Sequence, residues 1–551
     1  MSTSSFLEIE AKFSVADSTP TPELTRIPSV ESVGEPDSQE LSAVYYDTED
    51  LRLTRAKITL RRRTGGPDDG WHLKMPGSLG RTEIRTALGS PAEGEFEVPP
   101  ALLRQVRSII RNQAVEPIAQ VDNSRTETKL FDDSGTPIAE FCDDRVNAWS
   151  LLPGGKKTTW REWEVELSDT LAGCSQGSEL IRTATTILIG AGARVSSSPS
   201  KLTSALGTSL NNAPLPPSQQ KAPLDKGSAA AAVVTTLRQD RDKLVEFDPQ
   251  VRANKWDSVH QMRVATRELR SHLQTFDGII DGPEIAYFEE ELKSLAEILG
   301  KARDAEVIDQ RWQELATSET LACLDESTLE HLRGDTAKDY QLAHQHVVEY
   351  LDSDRYLNLL ESFDLFLANP QPAKTTAKES SIAEDGQAEA SSESPSTENF
   401  ARPSTEAVIT KRLQQSFQKL LKRHHKAIEN WENSELGLHE REEYFHAMRK
   451  SAKKLRYAAE AAGATTKLKT KRVNKACKEM QSLLGDFHDA VVSRDKILEL
   501  ARAARQRGED NFGYGVLYQR EHITSREALA NYQDAFEKVH KAFKPVAKKL
   551  K

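Results

Sequence analysis

The chain has 551 residues, 29% of them charged and 37% hydrophobic, with a formal net charge of −10 and a mean hydropathy of −0.58. That length exceeds one hydrophobic core and predicts two or three domains. The acidic balance argues against nucleic-acid or membrane affinity through the whole-molecule field, so any anion site has to be local.

The opening segment MSTSSFLEIEAKF carries glutamates where a signal peptide is apolar, which predicts a cytoplasmic protein. The longest apolar run, Ala229 to Val234, is far too short to span a bilayer, so no membrane partner is expected. Cys142, Cys174, Cys323 and Cys477 show no zinc or redox spacing and read as reduced thiols.

Residues 6 to about 205 alternate in short runs broken by Gly, Pro and Asp, the rhythm of an antiparallel β domain, with helical stretches near 99–112 and 175–190. Along Phe6–Phe13, Glu8, Glu10 and Lys12 share one face and Leu7, Ile9, Ala11 and Phe13 the other. The division returns with Arg61 and Arg63, with His72 and Lys74, and with Glu162, Glu164 and Glu166. Glu83, Arg85, Arg125, Asp143, Asp144 and Lys201 add further charges. One such strand alone is an ordinary solvated face. Several strands with clustered carboxylates and clustered cations predict a barrel that is apolar outside, under helices, and charged within. Carboxylates at i, i+2 on facing strands suit Mg²⁺ or Mn²⁺, whereas Arg and Lys suit phosphoryl oxygens. Together they describe metal-assisted chemistry on a chain of phosphates.

EIEAKF, followed by YYDTEDLRLTRAKITLRRRTGG and WHLKMP, resembles the CYTH superfamily, the triphosphate tunnel metalloenzymes, over about 1–208. The resemblance implies metal ligation by Glu8, Glu10, Glu162, Glu164 and one of Asp143 or Asp144, a one-residue bulge deciding which aspartate faces inward. It implies phosphate alignment by Arg61, Arg63, Lys74, Arg85, Arg125 and Lys201. Glu8, Glu10 and Lys12 form the catalytic set, with Lys12 binding a phosphate or orienting the attacking water. Glu166 is surplus to the family's usual pair.

Proline-rich 209–227 reads as a linker. From 228 to 551 apolar residues recur at helical spacing, which predicts an all-α domain. The Ser/Glu/Ala/Pro-rich stretch 370–403 divides it into repeats at about 228–369 and 404–551 and is expected to be a disordered loop. His260, Arg263, Arg267 and Arg270 recur as His446, Arg449, Lys453 and Arg456, an offset of 186 residues. Each set falls within an arc of roughly 80° and so forms one basic stripe on one helix. Leu299-Gly300-Lys301-Ala302-Arg303-Asp304 and Leu484-Gly485-Asp486-Phe487-His488-Asp489 follow at an offset of 185. A single stripe is usually a solvated face; a duplicated one points to a polyanion. Nucleic acid is the competing ligand, but Met262 and Met448 stand where a stacking platform wants aromatics, so a phosphate chain without bases is expected.

The helical half resembles the CHAD domain, which implies polyphosphate binding by the two stripes and Arg303, with His488 standing at that position in the second copy. The domain order is similar to that of bacterial inorganic triphosphatases. The expectation is therefore an α+β protein: a β-barrel tunnel with flanking helices, then a duplicated helical bundle. It would hydrolyse inorganic tripolyphosphate with Mg²⁺ or Mn²⁺ and bind long-chain polyphosphate. A non-catalytic polyphosphate-binding protein targeted to polyphosphate granules, and an adenylyl cyclase, stay open as alternatives. The sequence carries no sign of an oligomeric state.

Overall fold

The computed structural model describes residues 4–77, 79–89, 96–276, 278–316, 326–372, 405–466 and 468–549. They form two units, Met1–Gln220 and Lys221–Lys551. In the first, period-two alternation produces strands β1 (Ser4–Glu8), β2 (Glu10–Val15), β3 (Ser32–Val33), β4 (Asp37–Asp47), β5 (Thr59–Thr64), β6 (Gly70–Pro76), β7 (Arg81–Thr86), β8 (Glu116–Phe131), β9 (Pro137–Ser150), β10 (Lys157–Leu167) and β11 (Arg194–Val195). They make one antiparallel sheet in the order β1-β7-β6-β5-β4-β8-β9-β10-β2-β11, with β3 beside β8. β1 and β2 are a single extended run interrupted at Ile9. Its first half pairs with β7 and its second with β10, so the sheet curls until its two ends meet in this run.

Helices of this unit are α1 (Arg52–Arg55), α2 (Pro100–Ile110), α3 (Ser175–Gly190), α4 (Lys201–Leu206) and α5 (Ser209–Asn212). The outward residues are apolar because helices cover them. Trp71, Leu60 and Leu73 pack with Leu102, Val106 and Ile110 of α2, and Phe13, Trp163 and Val165 with Leu180, Ala184 and Leu188 of α3. The inner surface departs from the expectation of an all-charged lumen. Ala43, Tyr45 and Val121 make an apolar patch with Leu202, Ala205 and Leu206. Ser200 caps α4 by accepting from the Thr203 amide, so the helix begins at Lys201. Its apolar side fills that patch while its first residue enters the charged space.

The second unit contains α6 (Ala229–Arg252), α7 (Ser258–Thr275), α8 (Glu284–Ala316), α9 (Glu326–Asp352), α10 (Asp354–Ala368), α11 (Thr405–Trp431), α12 (Leu438–Thr465), α13 (Lys471–Arg507), α14 (Phe512–Ala530) and α15 (Tyr532–Lys549). One apolar core runs from Ala230 through Leu299 and Met448 to Val546, so the two repeats share a core instead of each closing its own. No helix among the described residues is long and apolar enough to cross a membrane. Segment 209–227 contains α5 and a turn at Pro217–Gln219. Of the expected loop 370–403, Gln371–Pro372 instead pairs with Ile280–Asp281; residues 373–403 lie outside the described residues.

Leu202 is 1% exposed and fills the apolar end of the sheet's interior. Leu202→Ala is expected to cost the first unit about 2–5 kcal/mol in denaturant unfolding, and to loosen the seat of Lys201.

Candidate active site and anion-binding face

Residues opposite one another in antiparallel strands share a face. Register sets Arg125 opposite Asp144, Asp144 opposite Glu162, Glu164 opposite Lys12 and Glu166 opposite Glu10. On the other arc Arg61 faces His72, His72 faces Arg85, and Lys74 lies between Thr59 and Glu83. Register thus puts these residues on the inward face, and a cavity of about 270 Å³ there is lined by Glu8, Glu10, Lys12, Arg61, Arg63 and Lys74, with Arg85, Arg125, Glu164, Glu166 and Lys201 among others.

The cavity's charges neutralise one another. Lys201 Nζ stands 2.8 Å from Asp144, 2.5 Å from Glu162 and 2.8 Å from Glu164. Arg125 reaches Asp144 through Nε at 2.8 Å and Nη2 at 2.7 Å, and Glu164 at 2.7 Å. Lys12 lies 3.0 Å from both Glu10 and Glu164. Lys74 pairs with Glu8, and Arg63 with Asp68. Burial alone would lower the Lys12 pKa, but Glu164 and Glu10 hold it above the usual ammonium range. Burial likewise opposes ionisation of Glu164, yet Lys12, Lys201 and Arg125 hold it well below the carboxylate range. Burial, with Glu8, Glu10 and Glu164 adding like charge against Lys74, pushes Glu166 up to about 7.

Among the described residues, two carboxylate groups have ligand oxygens within 4.8 Å of one another: Glu8, Glu10 and Glu166, and Asp144, Glu162 and Glu164. Glu8 is 5% exposed, and its Oε2 is buried without a hydrogen-bond partner. The donor set is all oxygen, as hard divalent cations require, so the residues fit Mg²⁺ or Mn²⁺. Arg61 and Arg63 complement them: Nε of each is buried without a partner, and Arg61 otherwise meets only the Tyr45 hydroxyl, at 3.5 Å, among hydrogen bonds of the described residues. Burial and neighbouring Arg61 and Arg125 lower Arg63 to about 9.

Asp143 does not join the cavity. β9 and β10 pair without a register shift, so Glu140, Cys142 and Asp144 alternate inward and Asp143 points outward. There it binds Arg161 at 2.6 and 2.8 Å, and Arg161 in turn donates to the carbonyls of Ala16, Asp17 and Thr19. Sequence reasoning passed over Tyr45, whose inward position follows from alternation with Leu41 and Ala43. It also set Glu166 aside, although that residue completes the Glu8/Glu10 group.

In the helical unit, α7 and α12 pack side by side and bring the two stripes together. His260, Arg263, Arg267, Arg270, His446, Arg449, Lys453 and Arg456 are all half-buried. Burial lowers the Lys453 pKa well below normal, and Arg267, Arg263, Arg449 and Arg456 lower it further. Burial and Arg263, Arg449 and Arg270 act the same way on Arg267, against Tyr457. This surface is a concentration of like charge that its own carboxylates do not cancel. Arg456 lies 4.6 Å over the Tyr457 ring and 3.4 Å from Glu268. Arg303 is engaged by Glu306 at 2.8 Å, whereas the His488 ring lies 4.2 Å from that of His446, tilted by 35°. Burial and neighbouring cations hold His446 down at about 4 and His488 at about 3. Met262 and Met448 are fully buried core residues, so they say nothing about stacking on a ligand.

A CHAD domain model matches residues 235–498 and a CYTH domain model residues 7–174. Two Mycobacterium tuberculosis proteins, Uncharacterized protein Rv2226 and Uncharacterized protein MT2285, are each 35% identical to the chain over 550 residues, 97% of it and 97% of each relative. The chain belongs to the family that joins a CYTH domain to a CHAD domain. Among solved structures, the CHAD domain from the plant Ricinus communis matches at 21% identity and a TM-score of 0.40, covering 60% of this chain and 96% of that one. PptA from Streptomyces chartreusis matches at 15% identity and 0.40, covering 56% and 99%. CYTH domains take phosphate substrates, are metal-dependent and include triphosphatases and cyclases. The CYTH cavity of this chain has the acidic groups that such chemistry uses.

His72 is buried in the CYTH cavity wall between Glu83, 2.9 Å from its Nδ1, and the Asp68 carbonyl, 2.9 Å from its Nε2. Burial lowers it to about 4 from 6.5, with Arg61 and Arg63 opposing its protonation and Glu83 favouring it. Between those values the unfolded chain binds the extra proton, so stability from neutral His72 is present above pH 6.5 and is lost as pH falls through 4. His72→Gln is expected to lose less stability than the unaltered chain between pH 7 and pH 5, measured by denaturant unfolding.

Proposed function

We propose that the CYTH unit is a divalent-cation-dependent hydrolase of inorganic triphosphate or a related short phosphate chain, and that the CHAD unit holds inorganic polyphosphate in the cytoplasm. The observation that carries the first part is one cavity combining buried, unpartnered guanidinium donors with the Glu8, Glu10 and Glu166 carboxylates and with Glu164, through which the Asp144, Glu162 and Glu164 group reaches it. Glu8, Glu10 and Glu166 would hold one Mg²⁺ or Mn²⁺, and Asp144, Glu162 and Glu164 a second. When bound, such a cation stabilises charge on phosphoryl oxygens and acidifies a bound water.

The chain's own side chains do the positioning. Arg61 and Arg63 offer free Nε donors to phosphate oxygens, and Arg85, Arg125, Lys74 and Lys201 add positive charge around the same cavity. Lys12, 3.0 Å from both Glu10 and Glu164, is placed to donate to a phosphate oxygen or to the attacking water. The CHAD stripes supply Arg263, Arg267, Arg270, Arg449, Lys453 and Arg456 to a polyanion, with His260 and His446 at one end and Arg303 beside them.

One observation favours a second reading, a binding protein without turnover: Lys201 already satisfies Asp144, Glu162 and Glu164 in place of a cation. An adenylyl cyclase is the weaker reading, with Tyr45 the aromatic side chain available in the cavity lining. Phosphate release from tripolyphosphate, ATP and thiamine triphosphate, with and without Mg²⁺ or Mn²⁺, separates the three. Release from tripolyphosphate supports hydrolysis, tight binding without release supports the binding protein, and pyrophosphate from ATP supports the cyclase.

Glu10→Gln is expected to bring cation-dependent phosphate release to background while leaving polyphosphate binding intact. Replacing Arg263 and Arg449 together by Ala is expected to weaken polyphosphate binding and make the plot of log affinity against log salt shallower by roughly two units, because two ionic contacts no longer release counterions. An unchanged salt slope would remove these two residues from the site.

A further inference from the structure

In each half of the CHAD unit a glycine stands against the same stripe arginine. Gly300 follows buried Leu299 in α8, and Gly485 follows buried Leu484 in α13. A β-carbon added at Gly300 would lie 3.6 Å from Nε and 3.7 Å from Nη2 of Arg263. One added at Gly485 would lie 3.3 Å from Nη2 and 3.8 Å from Nε of Arg449. At both positions the three nearest atoms belong to that single guanidinium. Backbone geometry does not ask for glycine here, since neither residue has a positive φ and both sit well inside long helices, where alanine is the better former.

Asp304 and Asp489 come four residues after these glycines, one turn along the same helix face. The field of Asp304 reaches Arg263 and Arg449, and that of Asp489 reaches Arg449. Nε of Arg263 is nevertheless buried without a hydrogen-bond partner.

We infer that Gly485 is a positioning residue of the anion-binding face. Bare helix backbone lets Arg263 and Arg449 settle against α8 and α13 beside Arg267 and Lys453; a β-carbon at Gly485 presses the Arg449 guanidinium aside by a few tenths of an ångström, whereas one at Gly300 only touches that of Arg263. This rests on the reading of the face as a polyphosphate site.

The test titrates the full-length chain with inorganic polyphosphate of defined length, comparing the unaltered protein with Gly300→Ala, Gly485→Ala, Arg449→Ala and the Gly485→Ala/Arg449→Ala pair. Alanine favours helix, so the melting temperature of Gly485→Ala is expected to hold or rise while its affinity falls about tenfold. Gly300→Ala, at ordinary contact distance from Arg263, is expected to keep the affinity of the unaltered chain. In the Arg449→Ala background Gly485→Ala is expected to have no further effect, an outcome that general disturbance of the helix packing would not give. Failure of the unaltered chain to bind polyphosphate overturns the reading of the face and this inference with it. Unchanged affinity in Gly485→Ala, or an undiminished loss in the Arg449→Ala background, overturns the inference alone.

Discussion

Everything in the CYTH unit depends on how a curled sheet accommodates a charged inner face. Ionised groups removed from water are costly unless each meets an opposite charge and its remaining hydrogen bonds are met. Lys201 against Asp144, Glu162 and Glu164, Arg125 against Asp144 and Glu164, and Lys12 against Glu10 and Glu164 satisfy that requirement. Such pairs contribute little net stability, because attraction largely repays desolvation. Stability comes from the opposite side of the same strands, where Trp71, Trp163 and Phe13 are buried under α2 and α3. Alternation thus separates two tasks along one strand: outward residues hold the fold, and inward residues keep a charged space ready for a charged ligand.

The CHAD unit handles its charges differently. Arg263, Arg267, Arg449 and Lys453 face one another; burial, and after it the repulsion of neighbouring cations, depresses the proton affinity of Arg267, Arg449 and Lys453. The cost is borne by the core shared between the repeats, which packs Met262 and Met448 directly behind the stripes. Each basic helix therefore has an apolar side fixed by that core and a basic side that Asp304, Asp489 and Glu268 neutralise only in part. Half-burial strengthens this arrangement, since it limits screening of the field by water.

Some of the site was legible because period is legible. Period two placed Glu8, Glu10, Lys12, Arg61, Arg63 and Lys74 on one sheet face, and the i, i+3, i+7, i+10 steps placed each basic stripe on one helix. Where the local pattern had two solutions the sequence did not choose. Asp143 and Asp144 are adjacent, and only unbroken pairing of β9 with β10 turns Asp144 inward. Met262 and Met448 share their helices with the stripes, but which side meets the core is a property of the bundle.

What the sequence by itself determined is therefore the set of faces: which residues travel together on a strand or helix, and that the helical pattern occurs twice. Those follow from backbone periodicity, a local property. Tertiary structure decided which faces meet. It brought Lys201 from α4 into the middle of the Asp144, Glu162 and Glu164 carboxylates, joined Glu166 to Glu8 and Glu10, and set Gly300 and Gly485 under Arg263 and Arg449. These contacts span long stretches of chain and depend on sheet closure and helix packing, and neither leaves a periodic trace in the residues that it joins.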